Sequence, residues 1–421
     1  MMKKFIFLIL VMLVVIPLSV GCVDEKDRNE TDNAKETENI TDRTDDIKAN
    51  KWDGSIASSY EGGEGTESAP YKITSGSQLA FLASQVNSGE AYSGKYFELV
   101  SDIDLDNIEW TPIGNETKGF CGIFDGKDHL ISNLKITNTR LIDEVGLFGS
   151  CFDATLKNLR INGAEIIIQD HFSDDFYMAG ILVGHVRSNG KIEISNITVS
   201  DSKIITSEKD TYRRLNIGGI CGRVSGNSKA SCTISQIQSD VYVSIENGSA
   251  QSNIVGGIIG EMGVYDSLEV KNCVSYLSVD VNKSKSDTEE NCFGAFGSLT
   301  ARAEKKDAAV LTNMFSKVTI NRIHDYVNDI SRSTVNSIAG KVGYGKVTAG
   351  IYQFKNLFGF VEQIDEQTDK RATTMKLYDI YYDILYSETN CLSSETLPEN
   401  HGFDTEIWDV DDLSKPKLKI Q

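Results

Sequence analysis

A short phrase framed by glycines recurs through the middle of the chain, and it constrains the fold more than any other feature. Its clearest copy is Gly146–Gly149, which reads GLFG, and further copies lie at 219–222, 257–260, 294–297 and 340–343. Strand-like phrases alternate with these copies, and each contains one amide residue, namely Asn133, Asn158, Asn196, Gln236, Asn272, Asn313 and Asn356. Successive amides are 25 to 43 residues apart. A period of this size predicts a solenoid.

The repeats have the composition of strands and turns. Short runs of Val, Ile, Leu, Phe and Thr are broken by Gly, Asn, Asp and Ser, and no repeat shows a helical period. One repeat buries too little apolar surface to stand alone, so we expect neighbouring repeats to stack and to share a core. Paired glycines such as Gly218-Gly219 suit tight corners. The recurring amide has two interpretations: an inward ladder of side-chain hydrogen bonds, or a turn residue with left-handed backbone.

The Gly-Leu-x-Gly phrase resembles the GLUG repeat of cell-surface and secreted proteins. The segments before the array are similar to those that precede GLUG arrays, and they include 52–54, 62–66, 69–71, 79–83, 102–105, 110–114 and 124–126. Phe403–Trp408 with Pro416 and Leu418 resembles their closing segment. The resemblance implies an all-β fold, a right-handed parallel β-helix of the pectate-lyase type with a cap at each end.

One amphipathic helix is predicted ahead of the repeats. Leu79, Leu82, Ala83 and Val86 follow the i, i+3, i+4, i+7 spacing. Ser75 or Ser77 can cap the start of this helix, and Asn87–Gly89 ends it. Because an open strand edge invites pairing with other chains, we expect the helix to cover the first rung of the coil.

The first 22 residues read as a lipoprotein signal peptide. Two lysines precede an apolar run from Phe5 to Val20, and Leu18–Cys22 resembles a lipobox in which Cys22 would be lipidated. An ordinary secretory signal or an uncleaved anchor is the alternative. Residues 23–50 are acidic and poor in apolar side chains, so we interpret them as a disordered tether. The remaining divisions are a leading segment at 51–118, repeats at 119–359, and the last layers and cap at 360–421.

Charge and cysteine content restrict the function. The formal net charge of −19 over 421 residues argues against nucleic acid as a partner. Eight cysteines are present and none forms a C-x-x-C pair, so we expect mostly buried free thiols rather than a disulfide framework. If a disulfide forms, Cys221 with Cys232 is the first pair to test. We expect a monomer.

Three weak candidate sites stand out. Asp102, Asp104 and Asp106 alternate with aliphatic residues, so their carboxylates could share one face and hold Ca²⁺, although the acidic outer face of a capping strand is the preferred interpretation. No other cofactor is predicted. Asp125, Lys127, Asp128 and His129 form the densest cluster of acids and bases. Tyrosines near the C-terminus could stack on a sugar, or could simply pack in the core; they are Tyr378, Tyr381, Tyr382 and Tyr386.

No sequence motif of a known catalytic site is present. H-E-x-x-H, G-x-S-x-G and P-loop patterns do not occur, and His185 is interpreted as an exposed strand residue. We therefore predict a non-enzymatic protein, exported and anchored at the cell surface through lipid on Cys22, whose β-helix binds a glycan or a surface protein. A polysaccharide lyase or hydrolase on the same coil is the alternative, and a passive spacer is a third hypothesis.

Overall fold

The computed structural model describes residues 51–169, 176–207, 214–227, 229–246, 252–264, 266–282, 290–301 and 309–323, and shorter stretches at 334–335, 338–342, 352–363, 408–409 and 417–418. One helix, α1, spans Gly76–Ser88. The strands up to the second repeat are β1 Tyr71–Ile73, β2 Tyr96–Leu99, β3 Ile103–Asp104, β4 Ile123–Ser132, β5 Lys135–Ile136, β6 Glu144–Val145, β7 Phe148–Phe152, β8 Thr155–Asn162 and β9 Glu165–Ile168.

The later strands are β10 Phe176–Gly180, β11 Val183–Ser188, β12 Lys191–Thr206, β13 Arg214–Gly218, β14 Cys221–Gly226, β15 Ser231–Glu246, β16 Ser252–Val264, β17 Ser267–Asn282, β18 Glu290–Ala301, β19 Ala309–Ile323, β20 Thr334–Val335, β21 Ala339–Val342, β22 Tyr352–Gln363, β23 Trp408–Asp409 and β24 Lys417–Leu418. They include the longest ones, β12, β15 and β17, of 16 residues each.

Two parallel sheets wind into one coil. In the first sheet the strands stack in the order β1-β2-β4-β8-β12-β15-β17-β19-β22. The second sheet contains the strands on either side of the glycine phrases, with β6-β10-β13 meeting one half of β16 and β7-β11-β14 meeting the other half. The predicted parallel β-helix is therefore confirmed. β23 and β24 form a separate antiparallel pair, and most of the predicted C-terminal cap lies outside the described residues.

The core is built from columns of aligned side chains. One column of the first sheet runs through six successive rungs in register, and all its members are buried: Phe124, Leu156, Ile194, Ile234, Val270 and Leu311. Since each side chain packs against its counterparts above and below, the apolar surface that one repeat exposes is covered by the next.

The first sheet bends at the recurring amide. We call this bend the asparagine corner; its residues are Asn158, Asn196, Gln236, Asn272 and Asn313, with φ between 52° and 56°. The first predicted amide, Asn133, also has positive φ but lies after β4, in line with the end of β8, and not at this corner. Nδ2 of Asn196 donates to Oδ1 of Asn158 at 3.0 Å, and Nδ2 of Asn313 donates to Oδ1 of Asn272 at 3.1 Å. The amide therefore has both predicted roles. Its half-buried side chain forms the ladder of hydrogen bonds, and its backbone adopts the left-handed conformation of the turn.

The second sheet bends at the glycine phrase, which we call the glycine corner. A Cβ on Gly256 would lie 1.9 Å from the carbonyl oxygen of Ile259, and one on Gly257 would lie 2.0 Å from Oγ of Ser275 across the interior. Gly256 is therefore required by the tightness of the turn within β16, and Gly257 by the close approach of the opposite sheet.

The predicted capping helix is confirmed as α1. The side chain of Ser75 accepts a hydrogen bond from the Gln78 backbone N–H, and Gly89 ends the helix with a φ of 118°. Leu79, Leu82 and Val86 are fully buried against the start of the coil. An aromatic cluster closes this end of the core; its members are Tyr60, Tyr71, Tyr92, Phe97 and Phe120.

Candidate functional site

An open pocket of about 600 Å³ lies on the outer face of the first sheet at its capped end, and we call it the lateral pocket. Its charged floor comes from one register column, in which Lys72, Glu98, Asp125 and Lys157 lie on four successive strands. Tyr96 and Pro70 add apolar wall surface. The remaining lining residues are Gly63, Glu67, Ser68, Ala69, Phe97, Ile123 and Lys127. This surface combines three ammonium groups with three carboxylates.

A local bulge places Lys127 in the lateral pocket. Where the next rung has the single residue Asn158, β4 inserts Gly126-Lys127-Asp128, and the register shifts between Asp125 and His129. Lys127 has a φ of 49°. A Cβ on Gly126 would lie 2.3 Å from the Asn158 carbonyl oxygen, so glycine is needed for this insertion.

Asp125 is held in its ionised form. Its Oδ1 accepts hydrogen bonds from Nδ2 of Asn158 and from the Lys127 backbone N–H, both at 2.9 Å. Its Oδ2 lies 3.5 Å from Nζ of Lys127 and 3.5 Å from Nζ of Lys157. Burial favours a higher pKa for Asp125, but the two hydrogen bonds and the two ammonium charges outweigh it, so the pKa is lowered. The pocket therefore presents a fixed negative charge between two positive ones.

The other two members of the predicted acid–base cluster lie apart from the lateral pocket. Oδ1 of Asp128 accepts a hydrogen bond from Nδ2 of Asn196 at 2.8 Å, so Asp128 extends the amide ladder. His129 Nδ1 lies 3.0 Å from Oδ1 of Asp102. Of the four residues in the cluster, only Asp125 and Lys127 line the pocket.

The three predicted calcium ligands have separate partners. Asp102 accepts the Leu130 N–H at 3.0 Å, and Asp106 pairs with Lys51. Asp104 is buried and accepts from Nδ2 of Asn133 at 2.8 Å. The strand alternation predicted for 102–106 ends early, because Asp106 has a φ of 52°. Among the described residues, no three His, Cys, Asp or Glu side chains are placed to hold a metal ion.

A second polar cluster lies on the outer side of the glycine corner, and we call it the corner groove. Glu144 lies in β6, His185 and Arg187 in β11, and Ser225 near the end of β14. Their strand neighbours Val186 and Val224 belong to the core, so His185, Arg187 and Ser225 face away from it. His185 Nδ1 lies 3.0 Å from Oε1 of Glu144, and His185 Nε2 lies 2.8 Å from Oγ of Ser225.

Arginines cover this cluster. The guanidinium of Arg187 pairs with Glu144, donates to Oγ of Ser150 at 2.9 Å and lies over the ring of Phe152. Further along the groove, Glu261 binds Nη1 of Arg214 at 3.2 Å and Nε of Arg223 at 3.4 Å.

Both of those guanidinium groups lie over the ring of Phe176, at 5.2 Å for Arg214 and 4.9 Å for Arg223. The groove is thus lined by paired charges on several rungs.

The interpretation of His185 as an exposed residue is wrong: it is only 5% exposed, and Glu144 only 4%. The sharp corner buries His185 because β6 and β11 approach each other there. A signal for the corner groove is present in the repeats. The position after the second glycine of the phrase forms one register column and is polar in five successive rungs: Ser150, His185, Arg223, Glu261 and Ser298.

None of the six described cysteines forms a disulfide, and five of them are buried, as the sequence predicts. Cys221 and Cys232 do not form a disulfide. Burial raises the pKa of the Cys232 and Cys273 thiols to about 12. These thiols therefore behave as small apolar side chains rather than as nucleophiles.

Several predicted sites lie outside the described residues. They are the lipidation site Cys22, the acidic tether at 23–50, and the tyrosines Tyr378, Tyr382 and Tyr386. In the part of the chain that the structure describes, no helix is long and apolar enough to cross a membrane.

No protein-family model matches the chain. Halomucin of Haloquadratum walsbyi is 30% identical over 189 residues, which is 42% of this chain and 2% of that protein. A protein of Evansella cellulosilytica, named as a Gly-rich membrane protein, is 31% identical over 150 residues, or 34% of this chain and 16% of that protein. The chain therefore spans only a small part of the length of these relatives.

Two solved structures show a loose likeness. A protein from Bacteroides ovatus, assigned as an immunoglobulin A1 protease, matches 86% of this chain and 95% of its own with a TM-score of 0.38 and 17% identity. A structure named IgA1 protease matches 68% of this chain and 21% of its own with a TM-score of 0.31 and 17% identity.

Proposed function

We propose that this protein is an extracytoplasmic, membrane-anchored binding scaffold, and that the lateral pocket binds a glycan segment that carries carboxylate or sulfate groups. One observation carries the proposal: three lysines and three carboxylates, from four strands and the segment before β1, line one open pocket of about 600 Å³ on the outer face of the coil. Ligand sites are concave surfaces of this size with a few convergent polar groups. Sugar hydroxyls suit such mixed donors and acceptors.

The ammonium groups favour an acidic ligand. Lys127 and Lys157 share Oδ2 of Asp125 at 3.5 Å, a longer separation than the ~2.8 Å of a direct charge-assisted hydrogen bond. Each ammonium has three hydrogens, so both retain donors for a ligand. In a protein whose net charge is −19, a pocket whose three lysines balance its three carboxylates repels an anion less than the rest of the surface does.

The test is binding of the purified protein to an array of acidic and neutral glycans, followed by titration of the best ligand. Lys127→Asn keeps a residue that tolerates positive φ and removes the charge, and Lys157→Gln removes the second charge. Each should weaken binding about tenfold.

Lys271→Gln is the matched control, because Lys271 lies in the same register column as Lys157, three rungs away and outside the pocket. If no acidic glycan binds, or if all three variants bind equally, the proposed site is wrong.

The anchor is proposed from the signal peptide, the lipobox at Cys22 and the acidic tether, and the name of the Evansella relative as a membrane protein supports it. Cys22→Ser should abolish incorporation of a labelled fatty acid and should move the protein out of the membrane fraction. Unchanged labelling of this variant would contradict lipidation at Cys22.

A polysaccharide lyase or hydrolase in the lateral pocket is the alternative, since the pocket does gather acids and lysines. The lowered pKa of Asp125 argues against a role as general acid, because that role needs the protonated form near neutral pH. Incubation of the protein with the bound glycan decides between these functions: binding alone leaves the chain length unchanged, whereas catalysis shortens it.

A further inference from the structure

A hydroxyl, an imidazole and a carboxylate form one hydrogen-bonded chain across the corner groove, at a site separate from the lateral pocket. Oγ of Ser225 lies 2.8 Å from Nε2 of His185, and Nδ1 of His185 lies 3.0 Å from Oε1 of Glu144. Burial increases along this chain. Ser225 is half-buried next to the exposed turn residue Asn227, whereas His185 and Glu144 are buried. The hydroxyl is therefore the member that an external molecule reaches first.

The imidazole is oriented to accept the hydroxyl proton. An ionised carboxylate only accepts hydrogen bonds, so we assign the imidazole hydrogen to Nδ1, which leaves the lone pair of Nε2 directed at Ser225. Burial lowers the pKa of His185, and the charges of Arg187 and Arg223 act in the same direction, against the opposing effect of Glu144. His185 is therefore neutral, and able to act as a base, at neutral pH.

The charge of Glu144 is compensated by Arg187, whose guanidinium pairs with the same carboxylate oxygen, Oε1. Arg187 is itself held over Phe152. Arg223 lies two residues before Ser225 on the same strand face, and its guanidinium stacks on Phe176 at 4.9 Å. Arg223 uses Nε to pair with Glu261, and its remaining N–H groups can stabilise negative charge that develops on a substrate oxygen beside Ser225.

We propose that Ser225, His185 and Glu144 form a hydrolytic site for small carboxylic esters, such as O-acyl groups on sugars. Oγ of Ser225 attacks the ester carbonyl carbon while His185 takes the hydroxyl proton at Nε2. The bond to the alcohol oxygen breaks, and the leaving alcohol receives that proton. Water then attacks the acyl-serine through the same base, which releases the carboxylic acid and restores Ser225. The net reaction consumes one ester and one water and needs no oxidant or cofactor.

The strand setting favours esters over amides. Ser225 pairs with Arg187 on one side and Gly263 on the other, so sheet pairing occupies its backbone amide. Stabilisation of the oxyanion thus depends on a guanidinium rather than on two backbone N–H groups. That weaker arrangement suits a carbonyl with a good leaving group and does not suit a peptide bond.

The test uses the purified full-length protein with p-nitrophenyl acetate as substrate and a fluorophosphonate as covalent probe. We expect hydrolysis with an initial burst, and a probe adduct on the peptide that contains Ser225. Ser225→Ala should lower the rate at least ~100-fold and abolish the adduct. Ser195→Ala is the control, since Ser195 is another half-buried strand serine and lies outside the groove. Equal rates for the two variants, or no hydrolysis and no adduct with the unaltered protein, would overturn the proposal.

A second readout separates catalysis from a structural role for His185. Because its pKa lies below the ordinary 6.5, the rate should fall on acidification with a midpoint below pH 6.5. Glu144→Gln, a change in a positioning residue, should lower kcat with little change in KM. A rate without an acidic limb would show that His185 is not the base.

Discussion

The two corners of the coil turn the chain by opposite means. At the asparagine corner a side chain assists the turn, because the amide tolerates positive φ and then bonds to the rungs on either side. At the glycine corner the turn requires the absence of a side chain, since a Cβ on Gly256 would overlap the Ile259 carbonyl. The asparagine corner is thus stabilised by hydrogen bonds between polar side chains. The glycine corner brings strands together so closely that polar groups beside it become buried, as at Glu144 and His185.

This difference also separates the two candidate sites. The lateral pocket lies beside the asparagine corner, where the bulge that contains Lys127 opens the outer face. The corner groove lies at the glycine corner and is covered by its own arginines and aromatic rings. An open surface suits the binding of a long ligand, whereas a covered cluster suits a small group on such a ligand. The two corners should therefore differ in both stability and function when they are altered.

The largest effect is expected at the glycine corner. Gly256→Ala places a Cβ 1.9 Å from a backbone oxygen, which no rotation of a side chain relieves. The tight turn between Gly256 and Ile259 within β16 must open, and we expect a loss of ~4 kcal/mol or more in the free energy of unfolding. Urea denaturation followed by circular dichroism measures this loss.

Gly263→Ala is the matched control for that change. Gly263 lies in the same strand, and the nearest atom to an added Cβ is 3.9 Å away. This variant should be as stable as the unaltered protein or slightly more stable, since alanine restricts the unfolded chain. If the two alanine variants unfold at the same urea concentration, the stability of the glycine corner does not depend on the close approach of atoms at Gly256.

A smaller effect is expected at the asparagine corner, where two contributions can be separated. Nδ2 of Asn196 donates to Asp128 at 2.8 Å and to Asn158 at 3.0 Å. Asn196→Gly removes these bonds and keeps the backbone conformation accessible, at a cost of ~2 kcal/mol. Asn196→Ala adds the penalty of positive φ and should cost ~1 kcal/mol more. The same urea titration measures both, and equal stability of the two variants would show that backbone conformation contributes nothing at this corner.

The sequence predicted the coil because its signals are repeated. Glycine phrases, amides and apolar runs recur in each repeat, so a misassignment of one copy is corrected by the others. The columns of buried side chains follow from the stacking of these repeats. The helix was predictable because Ser75 and Gly89 mark its ends locally. Neither prediction needs the register between rungs.

The sites depend on that register, and a single sequence leaves it open. The floor of the lateral pocket joins Lys72, Asp125 and Lys157, which come together only after the insertion of Gly126–Asp128 is placed. His185 was mispredicted because the glycine before it signals a turn but not the angle of the turn. The carboxylates of Asp102 and Asp104 were grouped by strand alternation, which positive φ at Asp106 interrupts.

The smallest effect is expected from a substitution at Gln236 that would complete the amide ladder. Gln236 occupies the asparagine corner with a φ of 56°, between Asn196 and Asn272 in register. Its side chain is one methylene longer, and within the described residues no hydrogen bond of this side chain links the two parts of the ladder. Gln236→Asn should let the new amide donate to Asn196 and accept from Asn272, in the direction that the other rungs follow.

We expect this change to raise the free energy of unfolding by ~1 kcal/mol, since two half-buried hydrogen bonds form and no apolar contact is lost. Urea denaturation again provides the measurement, with Gln238→Asn as a control on the same strand but away from the corner. A stabilisation that appears equally in both variants would point to the shorter side chain rather than to the ladder. If Gln236→Asn alone is stabilised, the amide column is a cooperative element along the coil, in contrast to the glycine corner, where each rung is limited by its own steric contact.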